Sequence, residues 1–277
     1  MSVSTEMSTE KSTEKSAEVS TEMSAEPLSG TTALVTGASR GLGRGIAVAL
    51  AQAGAKVVGV ARDQSRLADL HEQLGDRVIP VAADAADPVV AGRLIDAYQP
   101  GVLVLVAGAA PLSRPLHQHT WQTFSRNWEV DVQQAFHWTR EALLRPLPPG
   151  STVISMSSGA ARRGSPLSGG YAGAKATVAF ISAYAASESE RAGLGIRFAT
   201  VLPQITPATD LGAAAVAAYA RRAGADLDSY IRDMGPVVTP EITGQAITGL
   251  VVDSGQDGAS DNMGSYLLTA AGLNPLE

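Results

Sequence analysis

The sequence predicts an α/β fold, a doubly wound parallel sheet in a single domain, on three observations. Short apolar runs alternate with segments of helical period from residue 31 onward. Two of the runs, VVGV at 57–60 and VLVLV at 102–106, are apolar throughout, as strands covered on both faces must be. A glycine-rich stretch, TGASRGLG at 36–43, separates the first run from the first helical segment.

The elements follow in order. Thr32–Thr36 reads as the first strand, and Ile46–Ala53 as a helix ended by Gly54. Lys56–Val60 is the second strand, Gln64–Leu74 a helix and Val78–Ala82 the third strand. Val89–Tyr98 is a helix and Val102–Val106 the fourth strand. Trp121–Leu144 carries one or two helices, and Thr152–Met156 is the fifth strand. Ala172–Arg191 is a long helix and Ile196–Leu202 the sixth strand. Residues 205–236, rich in Ala and broken by Gly and Pro, read as a helical insert over the site. Glu241–Asp253 is a further helix and Tyr266–Thr269 the last strand. Residues 1–27 stand apart. Repeats of the Ser-Thr-Glu-Met and Ser-Ala-Glu type carry too little apolar surface to bury a core, so a disordered acidic tail is expected, followed by one domain over 28–277.

Composition narrows the function. A formal net charge of −6 argues against a phosphate-backbone partner, so no nucleic acid is expected. The absence of cysteine removes disulfides and thiolate metal sites, and fits a reducing cytoplasm. No apolar run approaches the ~20 residues a membrane helix needs, and the first residues lack the basic-then-apolar pattern of a signal peptide. No membrane partner and a cytoplasmic location are therefore expected. His117 and His119, one residue apart, lack the further ligands of a metal site and read as loop residues.

Two motifs carry chemistry. The first is Thr36-Gly37-Ala38-Ser39-Arg40-Gly41-Leu42-Gly43. Its glycines allow positive φ and close approach of the backbone, and the helix N-terminus behind them offers free N–H groups to a pyrophosphate. In dinucleotide folds an acidic residue at the end of the second strand binds the ribose 2′-hydroxyl, whereas an arginine accommodates a 2′-phosphate. Here Ala61 holds that position, Arg62 follows, and Arg40 offers a second guanidinium. NADP(H) is therefore expected over NAD(H), although Asp63 stands near enough to face a ribose. The second motif is Tyr171 and Lys175, four apart at the start of a helix and so on one face. Six tyrosines and four lysines would give about 0.1 such pairs by chance, so the spacing needs context. Lys175 is one of only two lysines outside the tail, and Ser158 lies thirteen residues before Tyr171, just beyond the fifth strand. A phenol, whose reference pKa is about 10, becomes a usable general acid or base beside an ammonium.

Together these residues resemble the short-chain dehydrogenase/reductase family over about 28–277, which implies a Rossmann-type fold. The resemblance implies hydride transfer between NADP(H) and a carbonyl or secondary alcohol. Tyr171 would act as general acid/base, Ser158 would bind the substrate oxygen (with Ser157 the fallback), and Lys175 would tune Tyr171 and hold the nicotinamide ribose. It also implies cofactor contacts from Gly37, Ser39, Arg40, Gly41, Leu42, Gly43, Arg62, Asp84, Ala107, Gly108, Tyr171, Lys175, Pro203, Ile205 and Thr209. Asp84 would meet the adenine and Thr209 the carboxamide. A homodimer or homotetramer is implied too.

The sequence departs from the family at three places. Val106 precedes Ala107-Gly108 where the family has Asn. Asp131 occupies the slot of a second Asn in the family's proton relay; its unchanged main chain would still hold the relay water, and its charge would either strengthen Lys175 as an ammonium or disturb the relay. Gln204 follows Pro203 where the family has Gly. The altered Asn positions keep a second reading open, a non-catalytic NADP(H)-binding sensor or scaffold of the same fold. A third reading is an epimerase or dehydratase. Arg162 and Arg163 would either meet an acidic substrate or face solvent.

Overall fold

The computed structural model describes residues 26–256 and 263–276. The tail expected at 1–27 lies outside the described residues up to residue 25. Glu26, at its end, is tied down, its carboxylate accepting from Arg77 at 2.7 Å. Next to it Leu28 is buried and anchors the start of the domain.

The strands are β1 Thr32–Thr36, β2 Lys56–Ala61, β3 Val78–Ala82, β4 Val102–Leu105, β5 Thr152–Met156, β6 Arg197–Pro203, β7 Ser265–Thr269 and β8 Gly272–Leu276. They form one sheet in the order β3-β2-β1-β4-β5-β6-β7-β8. All neighbouring pairs are parallel except β7 and β8, which form an antiparallel hairpin. The helices are α1 Gly41–Gln52, α2 Gln64–Leu74, α3 Pro88–Tyr98, α4 Trp121–Asn127, α5 Gln133–Leu144, α6 Ala160–Arg163, α7 Tyr171–Arg191, α8 Asp210–Ala223, α9 Leu227–Asp233 and α10 Pro240–Gln256. None is long and apolar enough to cross a membrane.

Apolar runs give these strands because both faces are covered. One core cluster joins Val35, Ile46, Leu50 and Val57 to Ile247 and Leu268, from β1, α1, β2, α10 and β7. The other joins Leu34, Val58, Leu103, Trp138 and Phe198, with α3, α5 and α7 over that face. Trp138 is fully buried and its indole N–H donates to the Ala85 carbonyl at 2.8 Å. Truncating such a side chain to Ala costs roughly 3–5 kcal/mol.

Several element boundaries shift by a few residues from the sequence expectation, and three regions stand out. Helix α1 begins at Gly41, not Ile46, because its glycines are required by close backbone approach rather than chosen for helix propensity. Residues 121–144 form two helices joined by a π-helical turn, Trp128–Val132. Strand β8 lies where no strand is expected, and Pro275 is tolerated there because β8 is the sheet edge.

The chain order reverses at β1, whose neighbours are β2 and β4. In open α/β sheets ligands bind outside the carboxyl ends of the strands at that switch point.

Candidate active site

A cleft of about 1420 Å³ opens there, above the ~300–1,000 Å³ of ordinary small-molecule pockets. Every catalytic and cofactor-binding residue picked from the sequence lines it.

The glycine turn forms its floor. Gly37 has φ +72°, and a side chain there would stand 2.9 Å from the Ala107 nitrogen. A side chain at Gly43 would overlap the Gly37 carbonyl, and Gly41, at φ +54°, abuts Thr209. Bare backbone is therefore dictated by packing. No side chain caps α1, so its first N–H groups and dipole face the cleft. Ser39 is buried within the turn, and Leu42 packs on the core beneath it.

One wall carries the arginines. Arg62 is exposed just beyond β2, next to Ala61. Asp63 has a structural task, capping α2 by accepting from the Arg66 N–H at 3.2 Å and the Ser65 hydroxyl at 2.9 Å. Those hydrogen bonds hold its carboxyl below the usual carboxylate value. Arg40 reaches across the cleft mouth to Asp210 of α8 at 3.3 Å. Asp84 accepts from the Ala86 N–H at 3.0 Å and shapes the turn after β3.

The opposite wall carries Ser158, Tyr171 and Lys175. Tyr171 is the first residue of α7 and Lys175 lies one turn on. The lysine Nζ stands 5.9 Å from the tyrosine ring centroid and donates to the Met156 carbonyl at 3.0 Å. Ser157 is buried and its hydroxyl donates to the Lys175 carbonyl at 2.7 Å, which ties β5 to α7. Ser158, next in the chain, is only half-buried; its hydroxyl oxygen accepts from the Ala160 N–H at 3.2 Å.

Asp131 enters from behind. It sits in the π-helical turn, is 1% exposed, and its Oδ2 lies 3.2 Å from Lys175 Nζ. Its Oδ1 accepts from the Ala109 N–H at 2.8 Å. Among the described residues the group that meets Oδ2 is the Lys175 ammonium, as a buried ion pair. Burial pushes the Lys175 ammonium down, but the charges of Asp131 and Tyr171 outweigh it and hold the value above the ordinary 10.5. Gly108 is bare for the same reason, because a side chain there would stand 2.9 Å from Asp131 Oδ2.

Three contributors escape sequence reasoning. The Thr36 hydroxyl accepts from the Val106 N–H at 3.0 Å and the Ala107 N–H at 3.2 Å. It also meets the Gln134 carboxamide, whose nitrogen donates to the Ala107 carbonyl at 2.8 Å. Thr36 and Gln134 thus fasten the end of β4 where the side chain of Val106 cannot. Asn127 donates to the Ala109 carbonyl at 2.7 Å, so Asn127 and Asp131 hold both backbone groups of Ala109. The signal available was a polar residue ending a buried strand, and polar residues every three to four positions along 127–134.

The remaining wall follows β6. Pro203 and Ile205 line the cleft, and Gln204 holds the main chain by donating its N–H to the Leu268 carbonyl at 3.0 Å. Gln204 has no positive φ, so the substitution for Gly is free of backbone strain. The Thr209 hydroxyl accepts from the Gly212 N–H at 3.1 Å and caps α8. Arg162 and Arg163 are exposed at the rim. His119 contacts Thr123 and the Arg114 carbonyl, and no metal-holding cluster exists among the described residues.

Sheet order, glycine floor and uncapped helix define a dinucleotide-binding type of α/β protein. A family profile described as short chain dehydrogenase matches residues 31–220, and the chain belongs to that family. It is 31% identical over 168 residues to a probable NADP-dependent dehydrogenase of Haemophilus influenzae, covering 58% of this chain and 66% of the relative. It is 33% identical over 159 residues to a short chain dehydrogenase of Pseudocercospora fijiensis, covering 53% of this chain and 50% of the relative. The chain thus spans between half and two thirds of those relatives. Its fold matches a 3-ketoacyl-(acyl-carrier-protein) reductase from Brucella melitensis complexed with NADH, with TM-score 0.70 and 24% identity, over 86% of this chain and 97% of the other.

Proposed function

We propose that this chain is an NADP(H)-dependent oxidoreductase that moves a hydride between the nicotinamide and a carbonyl/secondary-alcohol pair. The observation that carries the reading is that Ser158, Tyr171 and Lys175 line the same cleft as the glycine turn, with the Lys175 Nζ 5.9 Å from the Tyr171 ring centroid. The cofactor fits the residues present. The α1 N-terminus and bare glycine backbone suit a pyrophosphate, and Arg40 and Arg62 suit a 2′-phosphate dianion. Capping of α2 by Asp63, and the name of the Haemophilus relative, support NADP(H) over NAD(H).

When bound, the nicotinamide supplies or accepts the hydride at the substrate carbon. In the reducing direction Tyr171 gives its proton to the substrate oxygen, and in the oxidising direction it takes it back. Ser158 hydrogen-bonds that oxygen and steadies the charge developing on it. Lys175 offsets the charge left on the phenolic oxygen and holds the nicotinamide ribose. The substrate is a ketone, aldehyde or β-keto thioester, reduced at its keto or aldehyde carbonyl and admitted between α8–α9 and the loop 109–120.

Exposed aromatic residues support assembly as a homodimer or homotetramer. Phe136 on α5 is 49% exposed, and Phe180 and Tyr184 on α7 are 58% and 65% exposed and stacked at 6.1 Å. The cysteine-free composition supports a cytoplasmic location.

The test is NADPH consumption over a panel of ketones, aldehydes and β-keto thioesters, with Tyr171→Phe as control. Turnover that falls about 10²–10⁴-fold in the variant is expected for loss of the proton donor. Near-full rate in Tyr171→Phe overturns the assignment. Cofactor binding with no turnover on any carbonyl points instead to a sensor or scaffold.

A further inference from the structure

We infer that Asp131 is a positioning residue that keeps Lys175 charged and fixes it against the β4 loop, through a buried ion pair that a neutral side chain cannot replace. The geometry requires a group with two acceptors. Oδ1 takes the Ala109 N–H at 2.8 Å while Oδ2 faces Lys175 Nζ at 3.2 Å. An amide of the same shape offers one acceptor and one donor, so it serves Ala109 and presents N–H to an ammonium, or the reverse. What the carboxylate adds is a negative charge, placed where both groups are more than nine-tenths buried. Lys175 has little other support, with one carbonyl, that of Met156, accepting from it at 3.0 Å. Among the described residues, the charged or titratable groups acting on it are Asp131 from the π-helical turn and Tyr171 on its own helix. The neighbouring groups are neutral: the Met156 carbonyl of β5 accepts from Lys175 Nζ, the Ser157 hydroxyl bonds the Lys175 carbonyl, and Asn127 of α4 bonds the Ala109 carbonyl.

The consequence concerns the working pH of the site. Without the carboxylate, burial is left to act on the lysine with only Tyr171 opposing it, and the ammonium gives up its proton earlier. The pair also couples two parts of the cleft, since the group that holds Lys175 holds Ala109, directly after the glycine at 108. Movement of the loop after β4 is therefore felt at the lysine.

The first test does not depend on the proposed reaction. The chain holds four lysines, Lys11, Lys15, Lys56 and Lys175, so a protein labelled with ¹³C-lysine gives four Cε signals, assignable by Lys→Arg variants at 11, 15 and 56. In the wild type the Lys175 signal is expected to titrate above the ordinary lysine range, and in Asp131→Asn its midpoint is expected to fall by roughly one to three pH units. An unchanged midpoint in a folded Asp131→Asn overturns the inference. If Asp131→Asn does not fold, the wild-type midpoint decides the matter. A wild-type midpoint at or below the ordinary 10.5 overturns the inference. This inference rests on the proposed function only in its second readout. The alkaline edge of the NADPH-dependent rate profile is expected to move down with the lysine midpoint in Asp131→Asn. A uniform loss of rate at every pH, with the edge unmoved, is a structural effect and contradicts the inference.

Discussion

Replacing Lys175 with Met removes one partner of a buried ion pair and keeps a side chain of similar length. The carboxylate of Asp131, 1% exposed, then retains the Ala109 N–H but loses its one ionic partner among the described residues, and the Met156 carbonyl loses its lysine donor. Stranding one member of such a pair costs about 3–5 kcal/mol. Equilibrium urea unfolding at neutral pH, with fluorescence of the buried Trp138 as one probe, measures this directly. The double variant Lys175→Met/Asp131→Asn removes the stranded charge and is expected to recover at least about 1 kcal/mol, the coupling expected of residues in contact. The signature of the ion pair is therefore a double variant more stable than the Lys175→Met single variant. Should the single variant unfold within about 1 kcal/mol of wild type, or should the two changes simply add, the pair is not buried as described.

Other expectations follow from the same geometry. Lys175 is held above its ordinary value in the folded chain, so its contribution to stability is complete below about pH 10.5 and fades as pH rises past it; thermal unfolding across alkaline pH should show this decline, and Lys175→Met should lack it. Gly43→Ala drives a methyl group into the Gly37 carbonyl, and calorimetric titration should show NADPH affinity lost along with a lowered Tm. Arg40→Ala/Arg62→Ala should weaken NADPH at least about tenfold while changing NADH little, because each guanidinium–phosphate contact contributes roughly 1.5–3 kcal/mol. Phe180→Glu/Tyr184→Glu should convert an oligomer to monomer in light-scattering measurements, with the monomer remaining folded.

Much of the fold was legible because buried parallel strands leave continuous apolar runs, and β1, β3 and β5 carry the boundaries read from those runs. The glycine turn and the Tyr171/Lys175 pair were legible for a related reason, since each is local, with its meaning set by spacing along one chain segment. What escaped depends on distant contacts. The ion pair joins residues 44 positions apart in sequence, and the family resemblance leaves open whether the charge of Asp131 strengthens Lys175 or disturbs the relay. Thr36 reads as the last residue of a strand, yet its hydroxyl takes two N–H groups some seventy residues away. Asp63 shows the opposite error, a residue next to the cofactor wall whose side chain is consumed by capping α2. Strand β8 was missed because Gly and Pro argue against a strand in general, and only its place at the sheet edge makes Pro275 acceptable.

The central claim is that one pocket passes a hydride and a proton to the same C=O group. Incubation with NADPH deuterated at the reactive C4 position and a turned-over ketone, followed by mass spectrometry of the alcohol, reads the hydride arm directly. The account predicts one deuterium on the carbinol carbon with the wild type, and labelled alcohol formed about 10²–10⁴-fold more slowly by Tyr171→Phe. Alcohol formed without deuterium, or formed equally fast by the phenylalanine variant, would contradict it.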